Sequence, residues 1–117
     1  MINEPSIFLQ HMIESIELIE KRTKNVTRAE FVEDVDLQDM VIRRLEVIGE
    51  AVRNLPKEIR QKHSYINWQD PVGMRSALIH GYFQVDLDVV WDTISNDLPP
   101  FKEQIKKLIE ELERNIK

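Results

Sequence analysis

The apolar residues of this chain recur at spacings of three and four rather than two, and that periodicity commits it to helices. Phe8, Met12, Ile16 and Ile19 form one stripe, starting behind Pro5, which a helix tolerates in its first turn. Leu37, Val41, Leu45, Ile48, Val52 and Leu55 form a second. A third begins with Leu87, Trp91, Ile94 and Leu98 and continues through Phe101, Ile105, Leu108 and Leu112. Only three glycines interrupt 117 residues, so the breaks must come from caps and prolines.

Those signals divide the stripes. Thr27 and Glu30 have the capping-box spacing and open a short helical turn through Phe31, ahead of a second long helix from about Asp36 to Pro56. A short turn over Lys57 to Lys62 and a loop carrying Tyr65 and Trp68 follow. Asp70-Pro71 reads as an N-cap with proline at the first helical position, so a helix is expected from there to about His80. Gly81 suits a left-handed C-terminal cap, which makes Tyr82 to Val85 a turn. Pro99-Pro100 must kink or restart the last helix, with Asp97 available to cap a restart. Short connections favour antiparallel neighbours. The expectation is an all-α, antiparallel up-and-down bundle with a kinked C-terminal helix, residues 1–117 forming one domain.

Composition narrows the function. Cysteine is absent, which removes disulfides, thiolate nucleophiles and sulfur-built metal sites and suits a reducing, cytoplasmic setting. No stretch approaches membrane-spanning length, and the N-terminus lacks the basic start and apolar run of a secretory signal. A net charge of -5 argues against a generally basic nucleic-acid coat, so any such contact must be local. No Gly-rich phosphate loop, His-Glu-x-x-His zinc pattern or Glu-x-x-His pair occurs. His11 and Glu14 read as a helix-surface pair rather than a metal site, and His63, in a polar turn, as solvated. No cofactor is expected.

The segment Met74-Arg75-Ser76-Ala77-Leu78-Ile79-His80-Gly81-Tyr82 gathers an arginine, a histidine and a tyrosine where a helix should end. A helix C-terminus favours protonated imidazole, so His80 there can donate as well as accept a proton. On spacing alone, a His80 that caps the last carbonyls with Arg75 in an ion pair is the favoured reading. Arg43, Arg44 and Arg53 lie on the second long helix, either extending an anionic-ligand cleft or pairing with Glu46 and Glu50 on a solvated face. Tyr65 and Trp68 either pack near a helix start or stack on bases.

Arg75-x4-His80-x-Tyr82 resembles the motif of the HEPN domains, and within them of the HepT-like toxins. Two further blocks are similar to that group: Arg44-Leu45-Glu46-Val47-Ile48-Gly49-Glu50-Ala51, and Val85 to Trp91 with Asn96-Asp97-Leu98-Pro99. The resemblance implies a homodimer whose two motifs face one cleft and cut RNA without a metal, with Arg75 and His80 catalytic. It also implies silencing by a minimal nucleotidyltransferase antitoxin, MntA-like, which transfers AMP to Tyr82. Ser76, where Asn or Asp is common, and Arg43 and Arg44 are candidates to support the site or touch substrate. A non-catalytic module that binds the nucleotidyltransferase, and a purely structural helical dimer, are the alternatives. DNA and membranes are not expected partners.

Overall fold

The computed structural model describes residues 4–68 and 86–116; the expected Asp70-Pro71 cap, the helix to His80 and the Gly81 turn lie outside them. The described residues are all-α, without a strand. They comprise α1 (Glu4–Thr23), α2 (Arg28–Glu33), α3 (Val35–Asn54), α4 (Lys57–Lys62), α5 (Leu87–Asp92), a π turn (Thr93–Asp97) and α6 (Leu98–Ile116).

The three stripes become one core. Leu9, Met12, Ile16 and Ile19 of α1 are almost wholly buried, against Val41, Leu45, Ile48 and Val52 of α3 and Leu98, Phe101, Ile105 and Leu108 of α6. Phe8, Leu87, Trp91 and Leu112 stay half-buried at its margin. Both neighbours run antiparallel to α1. Phe8 and His11, early in α1, share a groove with Glu50 and Asn54, late in α3, while Lys102, early in α6, reaches Glu17 and Glu20, late in α1.

Local chemistry sets the breaks. Asn25 takes the left-handed conformation (φ 63°), one an Asn adopts more readily than most residues, and the Val26 N–H turns back to the Thr23 carbonyl at 3.0 Å. The capping box at α2 is complete: the Glu30 N–H donates to Thr27 Oγ1 (3.1 Å), and the Thr27 N–H donates to Glu30 Oε1 (2.9 Å). Asp34 then caps α3 by accepting from the Leu37 N–H at 3.1 Å. Gln38 reaches back to donate to the Phe31 and Val32 carbonyls, satisfying the end of α2. Pro56 separates α3 from α4 as the spacing indicated.

At Pro99-Pro100 the helix does not restart from an Asp97 cap. Leu98 remains helical, and its N–H donates to the Thr93 carbonyl, five residues back. A proline lacks the N–H for the ordinary bond and its ring crowds the carbonyl four residues before it; one π turn widens the helix ahead of both prolines.

Lys102 ties α6 to α1. Its Nζ lies 2.7 Å from Glu20 Oε1 and 3.8 Å from Glu17 Oε2, with the lysine side chain only 15% exposed. The hydrogen bond to Glu20 holds its pKa above the ordinary lysine value of 10.5, against the opposing effect of burial.

Two outcomes follow from these contacts. Thr27→Ala should destabilise the chain by about 1 kcal/mol in a denaturant titration, with Thr27→Ser restoring most of it. Lys102→Met should lose up to about 1 kcal/mol. Because the folded pKa is raised, the stability owed to Lys102 is whole below pH 10.5 and fades as pH rises past the folded value. The gap between wild type and Lys102→Met should therefore persist at neutral pH and close in strong alkali.

Candidate functional site

Arg75, Ser76, His80 and Tyr82 lie outside the described residues, whose two flanks are held by distinct interactions. On the N-terminal side Trp68 is 7% exposed. Its Nε1–H donates to the His63 carbonyl at 3.1 Å, and its ring meets Phe101 of α6 edge-on at 6.0 Å between centroids. Trp68 is thus a packing residue and presents no face for a base. On the C-terminal side Asp86 caps α5, its Oδ1 accepting from the Asp88 and Val89 N–H groups at 3.0 and 3.3 Å. α5 is fastened to α2 by Arg28, 2.6 Å from Asp92 and 3.5 Å from Asp88, and by Trp91 against Phe31 at 5.3 Å.

His63 is buried rather than solvated, with 5% exposure. It occupies the end of α4, where its N–H donates to the Ile59 carbonyl (3.0 Å) and its own carbonyl accepts from the Ile66 N–H (3.1 Å) as well as from Trp68. Its Nδ1 stands 3.5 Å from Glu111 Oε2 of α6. Those bonds satisfy its main chain inside the core, and its imidazole faces the Glu111 carboxylate. Local sequence carries no signal for this: α4 ends at Lys62, His63 stands in the turn that follows, and Glu111 comes from another helix.

The arginines of α3 divide. Arg43 is largely exposed and pairs with Glu46 at 3.8 Å, the solvated-face reading. Arg44 leans on α1, its Nη1 3.5 Å from Ser15 Oγ. Arg43 and His11 line a groove of ≈ 390 Å³ between α1 and α3, together with Glu46, Glu50 and Asn54. With two carboxylates beside one guanidinium, this groove is not an anion clamp. His11 and Glu14 are exposed, and among the described residues no three of His, Asp and Glu are placed to hold a metal ion. Among the same residues no helix is long and apolar enough to cross a membrane.

A second cavity, of ≈ 220 Å³, opens between α3, the π turn and α6, with Leu45 and Phe101 as its apolar wall and Asn67, Thr93, Asp97 and Gln104 as its polar rim. Asn67 adjoins Trp68, so this cavity borders the N-terminal flank of the motif segment.

Comparison with known proteins places the chain in a family. The description "Ribonuclease HepT-like" matches residues 12–108, a span that includes Arg75, His80 and Tyr82. A Methanocaldococcus jannaschii protein named as a gamma-glutamylcyclotransferase and candidate RNase is 48% identical over 98% of this chain, which spans about half (52%) of that relative's length. A candidate RNase of Caldanaerobacter subterraneus is 41% identical over 91% of this chain and 95% of its own. The "probable ribonuclease HepT" of Thermococcus cleftensis is 42% identical over 86% of this chain and 92% of its own. No solved structure matches. With four-fifths of its length matched and full-length relatives above 40% identity, the chain belongs to the HepT-like ribonuclease family.

Proposed function

We propose that this chain is a metal-independent RNA endonuclease, the toxin of a type VII-like toxin-antitoxin pair, acting in the cytoplasm as a single domain over residues 1–117. The observation that carries the reading is the HepT-like match over residues 12–108, which contains the complete Arg75-x4-His80-x-Tyr82 motif. Relatives named as RNases over most of their own length support it.

The chemistry requires two acid-base groups and a cation. A ribose 2′-hydroxyl attacks the adjacent phosphorus; the new O2′–P bond forms as the P–O5′ bond breaks, leaving a 2′,3′-cyclic phosphate and a 5′-hydroxyl. One group takes the 2′ proton, another delivers a proton to the departing oxygen, and positive charge steadies the phosphorane. One chain brings one motif histidine. A twofold homodimer brings two His80 and two Arg75, which fills every role, with Ser76 as a supporting hydrogen-bonding group.

Tyr82 is the control point in this reading. A partner nucleotidyltransferase transfers AMP from ATP to the phenol oxygen, which attacks the α-phosphorus and releases pyrophosphate. The attached phosphodiester sets a negative charge beside the arginines that hold substrate phosphate, and its adenine occupies the room of a base. Ser76 favours one second reading, a non-catalytic module that only binds the nucleotidyltransferase, because Asn or Asp commonly follows the motif arginine in HEPN ribonucleases.

Purified chain should cut RNA, but not DNA, in excess chelator, and His80→Ala should abolish cutting while keeping a wild-type unfolding midpoint. Mixed with wild type under confirmed subunit exchange, His80→Ala should suppress activity below the wild-type fraction. Cleavage that needs magnesium, or full activity of His80→Ala, defeats the assignment, and no cleavage together with intact nucleotidyltransferase binding selects the second reading.

Incubation with a cognate nucleotidyltransferase, ATP and magnesium should add one AMP per modified chain at Tyr82 by intact mass and peptide mapping, with loss of RNA cleavage. Tyr82→Phe should resist modification. AMP mapped elsewhere, or AMP on Tyr82 without loss of cleavage, removes the switch.

A further inference from the structure

Trp68 is committed to the core, whereas Tyr65, three residues before it, is 60% exposed. Tyr65 is nonetheless fixed in place. Its carbonyl accepts from Gln104 Nε2 of α6 at 3.5 Å, and its ring stands against the buried His63 ring at 5.9 Å and 73°. A ring held by a buried neighbour loses little freedom when a flat partner stacks on it.

Two exposed lysines, Lys62 and Lys107, lie on the elements that meet at this loop, with Glu111 the carboxylate nearest His63. Lys62, at the end of α4, is exposed. On α6, Gln104 and Glu111 both touch this loop, the second through His63, and exposed Lys107 lies between them on the same face, three residues from one and four from the other. Neither Lys62 nor Lys107 has a carboxylate within salt-bridge distance among the described residues, in contrast to Arg28, Arg43 and Lys102.

In sequence, Arg53, Lys57 and Arg60 precede Lys62, with Glu58 the one carboxylate from Arg53 to Lys62 in a chain whose net charge is -5. Helix dipoles account for cations in last turns, but Lys57 stands in the first turn of α4, where the field opposes it. Arg60 Nε, moreover, is buried without a hydrogen-bond partner among the described residues.

We propose that Tyr65, Lys62 and Lys107 form a platform for single-stranded RNA, one base stacking on the Tyr65 ring and the phosphates beside it lying on the two lysines. The platform rests on the ribonuclease reading and deepens it by placing substrate outside the motif. Unpaired cations around a fixed, exposed aromatic are what an unstacked base and its backbone require; a duplex offers no free base face. In sequence, Tyr65 and Trp68 lead directly into the segment that carries Arg75 and His80.

The test uses the full chain and a labelled, uncleavable 2′-O-methyl oligonucleotide, followed by fluorescence anisotropy over a range of salt. Tyr65→Ala should weaken binding by about 5- to 100-fold, and Tyr65→Phe should restore it. Lys62→Ala with Lys107→Ala should lower the slope of log affinity against log salt by about 1.4. Circular dichroism and light scattering on each variant check fold and subunit number. Wild-type cleavage of ordinary RNA, run in parallel, separates the two claims. If wild type cuts RNA while all variants bind and cut as it does, the platform is wrong and the ribonuclease reading stands. If wild type neither cuts nor binds RNA, that reading falls and the platform with it. A Tyr65→Ala variant that alters subunit number makes the ring a protein contact and overturns the proposal.

Discussion

Everything described here depends on the burial of α1 between α3 and α6. Leu9, Met12, Ile16 and Ile19 are each at most 1% exposed, and each contributes about 1.5–3 kcal/mol of apolar burial. The dependence runs outward. α1 seats α6, α6 presents Phe101 to Trp68, and Trp68 fixes the chain where it enters the motif segment. On the other flank α5 is held by Arg28 and Phe31 of α2, whose own start depends on the Thr27 cap. The ends of that segment are therefore set by packing far from it in sequence.

How much of this the sequence revealed depended on the range of the interaction involved. The stripes and the caps at Thr27 and Pro56 are local patterns, and each matches the described structure. His63 was misread because its neighbours Lys62 and Ser64 are polar, while the residues that enclose and satisfy it, Trp68 and Glu111, include one from another helix. Arg43 and Arg44 look alike in sequence, yet one turns to Glu46 and the other to Ser15, a difference fixed only by the packing of α3 on α1. Tyr65 and Trp68 carried the same ambiguity until burial separated them. The family was legible in the sequence, whereas the candidate site rests on a spacing, Arg75-x4-His80-x-Tyr82, whose side chains lie outside the described residues.

Charge is organised by role in this acidic chain. Arg28 and Lys102 each bridge helices distant in sequence, α2 to α5 and α6 to α1, and each engages two carboxylates. Their charge is spent locally, so they contribute little to the field at longer range. Lys57 and Lys62 of α4 have no carboxylate within salt-bridge distance among the described residues, so their charge is not spent in this way. A net charge is thus a poor guide to what a given face of this molecule attracts.

The π turn before Pro99 has a consequence for the chain's geometry. A helix with one wide turn holds an extra residue between two regular stretches, much as a crystal holds a dislocation, and the stretches on either side keep their alignment. In an unbroken helix of ordinary residues such a defect can migrate, each step exchanging one five-residue hydrogen bond for a four-residue one. Here two adjacent prolines, with no N–H to exchange, block its passage toward the C-terminus. The defect cannot advance past them, and the rotational phase beyond it is kept: Val90 ahead of the wide turn, Ile94 within it, and Phe101 and Ile105 after it all face the same core.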